Sequence, residues 1–342
     1  MILPQTYFGT LIVMIFGLLC AGLWANTYKL AGKLRFEIYY VDFAIGLAIA
    51  AVTFALTFGN LGYDGFSLVD DIMQVHKRQW LEAFGAGVIF NLANMFLVAA
   101  ISVSGMAVAI PVALGLTLVI GALLGQLGLR TSNPVYVYLG CALILAAIVA
   151  DAIAHKSLVV MRKPEILKSG KSFRRPGAAK GPILSVVSGL LMVGVYPLVH
   201  LATTGDVALG PYSVTLLLAG GAFVSTFVFS LFFMNLPVEG QPLEITDYFK
   251  THLQRHGHGV LGGFLWSTGT VAVLVAASTA PEAQLGRATS LLLAKGGPLI
   301  AGLCGLLIWK EFAEGGGGTK ANAFAALILF AGGLALISLA FG

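Results

Sequence analysis

A lysine stands in the middle of an apolar run. Lys295 lies in TSLLLAKGGPLIAGL, about nine residues into a stretch long enough to cross a bilayer. An ammonium at the centre of a membrane helix costs about 2.5–3.5 kcal/mol. A charge retained there is expected to face a cavity, an ion path or a partner. Gly296, Gly297 and Pro298 follow it, where the helix is expected to loosen and free its carbonyls. Substrate binding and ion coupling are the chemistries this suggests. A structural pair with a buried acid, or a side chain that snorkels to the interface, competes with them.

Two amides sit at comparable depth elsewhere. Asn91 and Asn94 are three residues apart, hence on one helix face. Each offers both donors and an acceptor, which suits a polar uncharged ligand such as a sugar or a cyclic amide. Hydrogen bonding between packed helices is the alternative use. Trp266, Ser267, Thr268 and Thr270 form a third polar patch. An indole at mid-membrane lies away from the interfacial belt and can stack on a sugar face or a flat heterocycle. Trp24, Asn26 and Tyr196 are lesser candidates of the same kind. The expected substrate-binding set is therefore Trp24, Asn26, Asn91, Asn94, Tyr196, Trp266, Thr268 and Lys295. Coupling falls to Lys295 or to an acid. Of Glu37, Asp42, Glu82 and Asp151, Asp42 lies deepest in a span. His200, near a span end, reads as a hydrogen-bonded packing residue.

These residues need membrane helices to hold them. The chain of 342 residues is 58% hydrophobic and only 10% charged, against about 25% charged in soluble domains. Its mean hydropathy is +0.91. A bilayer core needs about 20 apolar residues per helix. On that ruler ten spans are expected: Thr6–Tyr28, Ile38–Thr57, Trp80–Ala100, Gly105–Gly125, Pro134–Ile153, Gly181–Ala202, Gly210–Asn235, Gly257–Ala277, Arg287–Trp309 and Ala321–Ala340. The runs lack the alternation of barrel strands. The first run has no basic start and no small-residue cleavage site, so it reads as a retained span. Between spans, 59–79 has the pattern of a small amphipathic helix or an ordinary loop, 239–256 reads as a polar loop, and 315–318 is a run of four glycines. Cys20, Cys141 and Cys304 fall inside apolar runs and read as packed thiols, with no disulfide or metal spacing. No nucleotide P-loop, Gly-x-Ser-x-Gly or paired metal motif occurs, so neither a catalytic nor an ATP-driven reading has support. No cofactor, metal or nucleic acid is implied.

Residues 154–180 hold Lys156, Arg162, Lys163, Lys168, Lys171, Arg174, Arg175 and Lys180 around a single acid, Glu165. A polybasic loop of this kind stays cytoplasmic, and contact with lipid headgroups is a further use for it. With it inside, fifteen of the twenty basic residues face the cytoplasm and both termini lie outside. The linker separates two five-span halves, 1–153 and 181–342. Gly85–Ala100 aligns with Gly262–Ala277, placing Asn91 on Thr268. The first span aligns with the sixth, with Gly22 on Gly194 and Trp24 on Tyr196. Five spans per half is odd, so equivalent helices run oppositely. The expected fold is an all-α membrane protein of ten transmembrane helices built as a 5+5 inverted repeat, as in many secondary transporters.

The segments WANTYKL from Trp24, RFEIYYVDFAIG from Arg35, GVIFNLAN from Gly87, GMAVAIP from Gly105, MNLPVEGQPL from Met234, DYFK from Asp247, GGFLW from Gly262 and WKEF from Trp309 resemble bacterial ureide-permease-like proteins. Beside these stand the glucose/ribose porters of the drug/metabolite transporter superfamily. The resemblance covers nearly the whole chain. It implies a central cavity lined by helices one, three, four, six, eight and nine, in a bacterial inner-membrane protein. Plant relatives carry allantoin, uracil and similar flat compounds with protons; the porters carry hexoses or ribose. Lys295 departs from the neutral glutamine expected of such sequences. The implied partners are a small polar metabolite, protons and membrane lipid, with the chain a monomer or homodimer. The expected function is secondary active transport of a ureide- or nucleobase-type metabolite by alternating access. A sugar porter is the alternative within the class, and a receptor or scaffold that has lost transport is the alternative outside it.

Overall fold

The computed structural model describes residues 1–32, 34–129, 133–168, 179–205 and 207–342, with the side chains of 129 and 162–168 excluded. Of the polybasic segment, Lys171, Arg174 and Arg175 therefore lie outside the described residues, as do Lys33 and Arg130, and the side chains of Arg162, Lys163, Glu165 and Lys168 are not described.

Among the described residues the regular structure is helical, with no strand. In chain order the helices are α1 Tyr7–Leu30, α2 Phe36–Leu56, α3 Leu68–Gln74, α4 Lys77–Ser104, α5 Met106–Leu129, α6 Pro134–Lys168, α7 Lys180–Val193, α8 Val195–Ala202, α9 Pro211–Asn235, α10 Ile245–Phe249, α11 Leu253–Ala277, α12 Arg287–Lys295, α13 Gly297–Leu303 and α14 Gly317–Ala340. Among the described residues ten segments are long and apolar enough to cross a membrane: α1, α2, α4, α5, α6, α9, α11 and α14, together with the broken pairs 180–202 and 287–308. This is a multi-pass membrane protein.

Two spans read as single helices are interrupted, each by a proline. Pro197 and Pro298 have no N–H to give, and their rings crowd the carbonyl four residues back. The breaks accordingly fall at Gly194, between α7 and α8, and at Gly296, between α12 and α13. The span of α13 then widens into a π-turn, Cys304–Ile308, with the Trp309 N–H bonding back to the Cys304 carbonyl at 2.9 Å. Helix α6 does not stop at Ile153. It runs on to Lys168, because Ala154 and Leu158 are buried in a cluster with Val108, Val112 and Phe312. The amphipathic segment of 59–79 does form a short helix, α3.

The chain divides into two compact units that do not follow the sequence halves. One comprises Met1–Asn94, Leu191–Pro237 and Gln241–Gly286; the other comprises Met95–Leu190, Val238–Gly240 and Arg287–Gly342. In the first unit, α2 and α11 touch backbone to backbone. A Cβ added at Gly263 would stand 1.8 Å from the Phe43 carbonyl oxygen, and one at Gly46 would stand 1.9 Å from that of Val260. Only hydrogen fits at such a crossing, and van der Waals contact of this kind is what joins helices where lipid removes the hydrophobic drive. In the second unit, α6 and α14 cross the same way at Gly140 and Gly333. There the Glu311 carboxylate accepts from the N–H groups of Met106 (3.0 Å) and Ala107 (2.8 Å), supplying the acceptors that the first turn of α5 lacks. The chain reaches this position through Lys310, the one non-glycine residue of positive φ among the described residues.

Candidate functional site

The first unit gathers most of the candidates. Asn91 lies near the middle of α4, roughly 21 Å along a helix of about 42 Å. Its amide is committed to α9: the NH₂ donates to Ser225 Oγ at 2.8 Å, and the carbonyl accepts from Thr226 Oγ1 at 3.1 Å. The Tyr40 hydroxyl donates to the Asn91 backbone carbonyl at 3.1 Å. Asn91 thus ties α4 to α9 while α2 closes on its backbone.

Asn94 differs. It is as deeply buried as Asn91, yet neither its amide nitrogen nor its oxygen has a hydrogen-bond partner. The Tyr40 hydroxyl stands next to it without a well-formed bond. Leaving a buried polar group unpaired costs about 1–3 kcal/mol. Four residues before Asn94, on the same face of α4, Phe90 stacks on Trp266 of α11 with ring centroids 3.9 Å apart and an interplanar angle of 27°. Beside Trp266, the Ser267 hydroxyl is fully buried and also without a partner. A flat aromatic surface, an open amide and an open hydroxyl thus come from residues within one turn of each other on α4 and α11.

The other candidates sit on α1, α8, α11 and α12. Trp24 is buried on Phe43 at 5.4 Å, and Phe43 lies 5.2 Å from Tyr40, so Trp24 extends the aromatic packing behind Tyr40. Asn26 is half-buried and donates to the Leu23 carbonyl at 3.0 Å. Thr268 spends its hydroxyl on the Phe264 carbonyl of its own helix. Tyr196 follows the break at Gly194 and is 46% exposed. Lys295 belongs to the second unit. It is half-buried in the last turn of α12, where the free carbonyls of a helix end favour a cation.

Asp42, the acid expected to lie deepest, is at the centre of a second cluster in the first unit, whereas Asp151 is the acid nearest the middle of its helix once α6 runs on to Lys168. Its Oδ1 accepts from the Tyr248 hydroxyl at 2.6 Å, and its Oδ2 lies 2.7 Å from His256 Nδ1. The Tyr248 and His256 rings are 4.6 Å apart. Tyr248 sits on α10, outside the spans. Burial, then the neighbouring Asp42 carboxylate, push its phenol further above the usual range, so it stays a donor. The turn of α10 is fixed by a capping box between Glu244 and Asp247 and by a 2.9 Å Lys250–Asp247 pair. That lysine holds the exposed Asp247 carboxyl below its usual value. Arg35 ties the same connector down: it grips Glu37 with two nitrogens and donates to the Gln241 carbonyl at 2.6 Å.

Sequence reasoning missed Tyr40, Phe90, Ser225, Thr226, Tyr248 and His256. One signal was present. Asp42 and Gly46 are four apart, as are Gly259 and Gly263, and the two pairs meet: a Cβ at Gly259 would stand 2.4 Å from that of Asp42. Matching small residues at helical spacing mark a close crossing, and that crossing brings His256 to Asp42.

The family model for ureide permeases matches residues 39–175. Ureide permease 1 of Arabidopsis thaliana is 22% identical over 374 residues, spanning 94% of this chain and 94% of that protein. Ureide permease 2 of the same plant is 26% identical over 164 residues, spanning 46% of this chain and 41% of that protein. A solved structure titled "Crystal structure of protein" aligns with a TM-score of 0.47 at 17% identity, covering 96% of this chain and 98% of that chain.

Proposed function

We propose that this chain is a secondary transporter for a flat ureide- or nucleobase-type compound, working by alternating access. The observation that carries the reading is the unpartnered Asn94 amide one helical turn from the Trp266–Phe90 stack. A ureide carries N–H and C=O groups on a flat skeleton. It pairs with a carboxamide edge to edge and lies against an aromatic face, replacing its water shell on both counts. The likeness to ureide permeases over most of the chain supports the same class.

In this reading Asn94 and Trp266 contact the substrate, with Ser267 and Tyr40 beside them. Asn91 positions Asn94 by pinning α4 to α9. Trp24, Asn26, Tyr196 and Thr268 line or support the path. Lys295, at the helix break, binds substrate or compensates charge during the cycle, and Asp42 takes part in proton coupling. The two five-helix repeats, 1–153 and 181–342, are inverted copies that rock about the site, with the polybasic linker and the 241–252 connector cytoplasmic and both termini outside.

A thermal-shift panel of purified protein with allantoin, uracil, hydantoin, glucose and ribose tests the class. Allantoin or uracil is expected to raise the unfolding midpoint of the wild type, and to raise that of Asn94→Ala by less at the same concentration. A shift with the sugars alone would transfer the site to a sugar porter. No shift with any compound, and no uptake, would favour a receptor or scaffold.

A further inference from the structure

The Asp42 cluster has more parts than an acid at a helix end needs. Asp42 is buried six residues into α2, about 9 Å from its start. His256 is in the first turn of α11, and Tyr248 arrives from the connector. Oδ2 of Asp42 and Nδ1 of His256 are both acceptors unless one of them carries a proton, and at 2.7 Å one must. With the imidazole neutral and its Nδ1–H donated, the carboxylate leaves the cluster with a net charge of −1 in a nearly dry place. One more proton makes the ring an imidazolium and the pair neutral overall.

Several ionisable groups on the elements around Asp42 are committed elsewhere. On α2, Tyr39 is neutral and shares its hydroxyl with Thr27 of α1 at 2.7 Å, and Glu37 is taken by Arg35. Tyr28 of α1 packs on Tyr39, and Lys29 next to it lies half-buried in the last turn of the same helix. On α11, Arg255 is exposed and His258 stands two residues beyond His256. Helix α9 carries no charged residue. On α10, Tyr248 is a donor and Asp247 is paired with Lys250.

We propose that the Asp42–His256 pair is the coupling-proton site of this transporter, and that Tyr248 links its charge to the 241–252 connector. The proposal rests on the transport reading and names the group that takes the ion. A proton bound at the pair neutralises the cluster, so the connector lies closed on α2. Loss of the proton leaves a net negative charge on the pair, whose hydration is won by letting water in, and the connector lifts. Binding and release of the proton thereby open one side of the protein, which is what makes substrate movement follow a proton gradient.

The test uses the full chain in liposomes with labelled uracil and labelled allantoin, in two assays. Counterflow with equal pH on both sides measures exchange, and an imposed pH gradient measures accumulation. Asp42→Asn and His256→Gln are expected to lose gradient-driven accumulation at least tenfold while exchanging label. If both variants accumulate as the wild type does, the proposal is wrong. It is equally wrong if both lose exchange together with accumulation, since a group that only carries the proton is not needed for exchange. Absence of counterflow in the wild type would instead remove the transport reading, and this proposal with it.

Amide exchange gives a second readout that needs no substrate. Corrected for intrinsic rates, exchange over 241–252 is expected to slow at least threefold from pH 8 to pH 5.5 in the wild type. It is expected to be independent of pH in Asp42→Asn, and to be faster than wild type at pH 5.5 in Tyr248→Phe, which keeps the ring and removes the donor. The same pH response in all three proteins would overturn the link through Tyr248 and Asp42.

Discussion

The two asparagines of α4 are expected to respond oppositely to truncation, and the size of the difference follows from their surroundings. Asn94→Ala removes an amide with no partner, a group that costs about 1–3 kcal/mol while it is buried unpaired. Alanine is also the better helix residue by up to about 0.7 kcal/mol. Against this stands the space left behind, about 25 Å³ at about 24 cal/mol per Å³, or about 0.6 kcal/mol. The balance is a gain of about 1 kcal/mol or more. Asn91→Ala loses the bonds to Ser225 and Thr226. At about 0.6 kcal/mol each within a membrane bundle, they and the cavity outweigh the helix gain by about 1 kcal/mol. The two variants should therefore lie about 2 kcal/mol apart, with wild type between them.

The assay pairs unfolding in detergent, followed by the loss of monodisperse protein with temperature, with binding of allantoin or uracil. Asn94→Ala is expected to melt higher than wild type and bind about tenfold more weakly, the equivalent of about 1.4 kcal/mol. Asn91→Ala is expected to melt lower. If Asn94→Ala destabilises as much as Asn91→Ala, its amide has a partner in the resting protein and is not held open for a ligand. If it melts higher and binds unchanged, the amide is open but unused.

Other consequences concern the scaffold. Gly263→Ala puts a Cβ 1.8 Å from the Phe43 oxygen and must push α11 off α2. It should lower the melting midpoint, with overpacking of about 1–3 kcal/mol, and reduce gradient-driven uptake; Gly257→Ala on the same helix, with open space around it, should gain up to about 1 kcal/mol. Equal melting of the two would refute the close crossing. Glu311→Ala strips the acceptor from the first turn of α5 and should cost about 0.5–2 kcal/mol, measured as the same thermal shift; no loss would mean that the cap is dispensable. Pro298→Ala restores a donor for the Ala294 carbonyl. It is expected to leave the protein folded but to cut uptake at least fivefold, and unchanged uptake would take the break beside Lys295 out of the mechanism.

The spans were legible because bilayer thickness makes apolar length a direct signal. Their interruptions were legible as far as proline chemistry reaches: the loosening after Lys295 was expected from Pro298, whereas the break at Gly194 was hidden in a run where Pro197 reads as one residue of a continuous span. The end of α6 was misplaced by fifteen residues because a helix can outrun the bilayer when packing continues, as it does at Ala154 and Leu158. Polar residues at depth were visible individually. What each does was not, because Asn91 and Asn94 differ only in whether α9 offers them partners, and that depends on helix rotation. His256 was assigned to a polar loop since nothing in its neighbours shows that Gly259 and Gly263 draw α11 onto α2. Such pairings are set by contacts far apart in the chain, which a local pattern does not encode.

The central claim is that this chain moves a flat ureide- or nucleobase-type solute across a bilayer. It is tested most directly by uptake of labelled allantoin and uracil into liposomes holding the purified chain. The account predicts saturable entry of at least one of them, accumulation above the outside level under an inward proton gradient, and at least a tenfold reduction with Trp266→Ala or Asn94→Ala. Entry no faster than into empty liposomes, for both compounds and in either direction of the gradient, would contradict it.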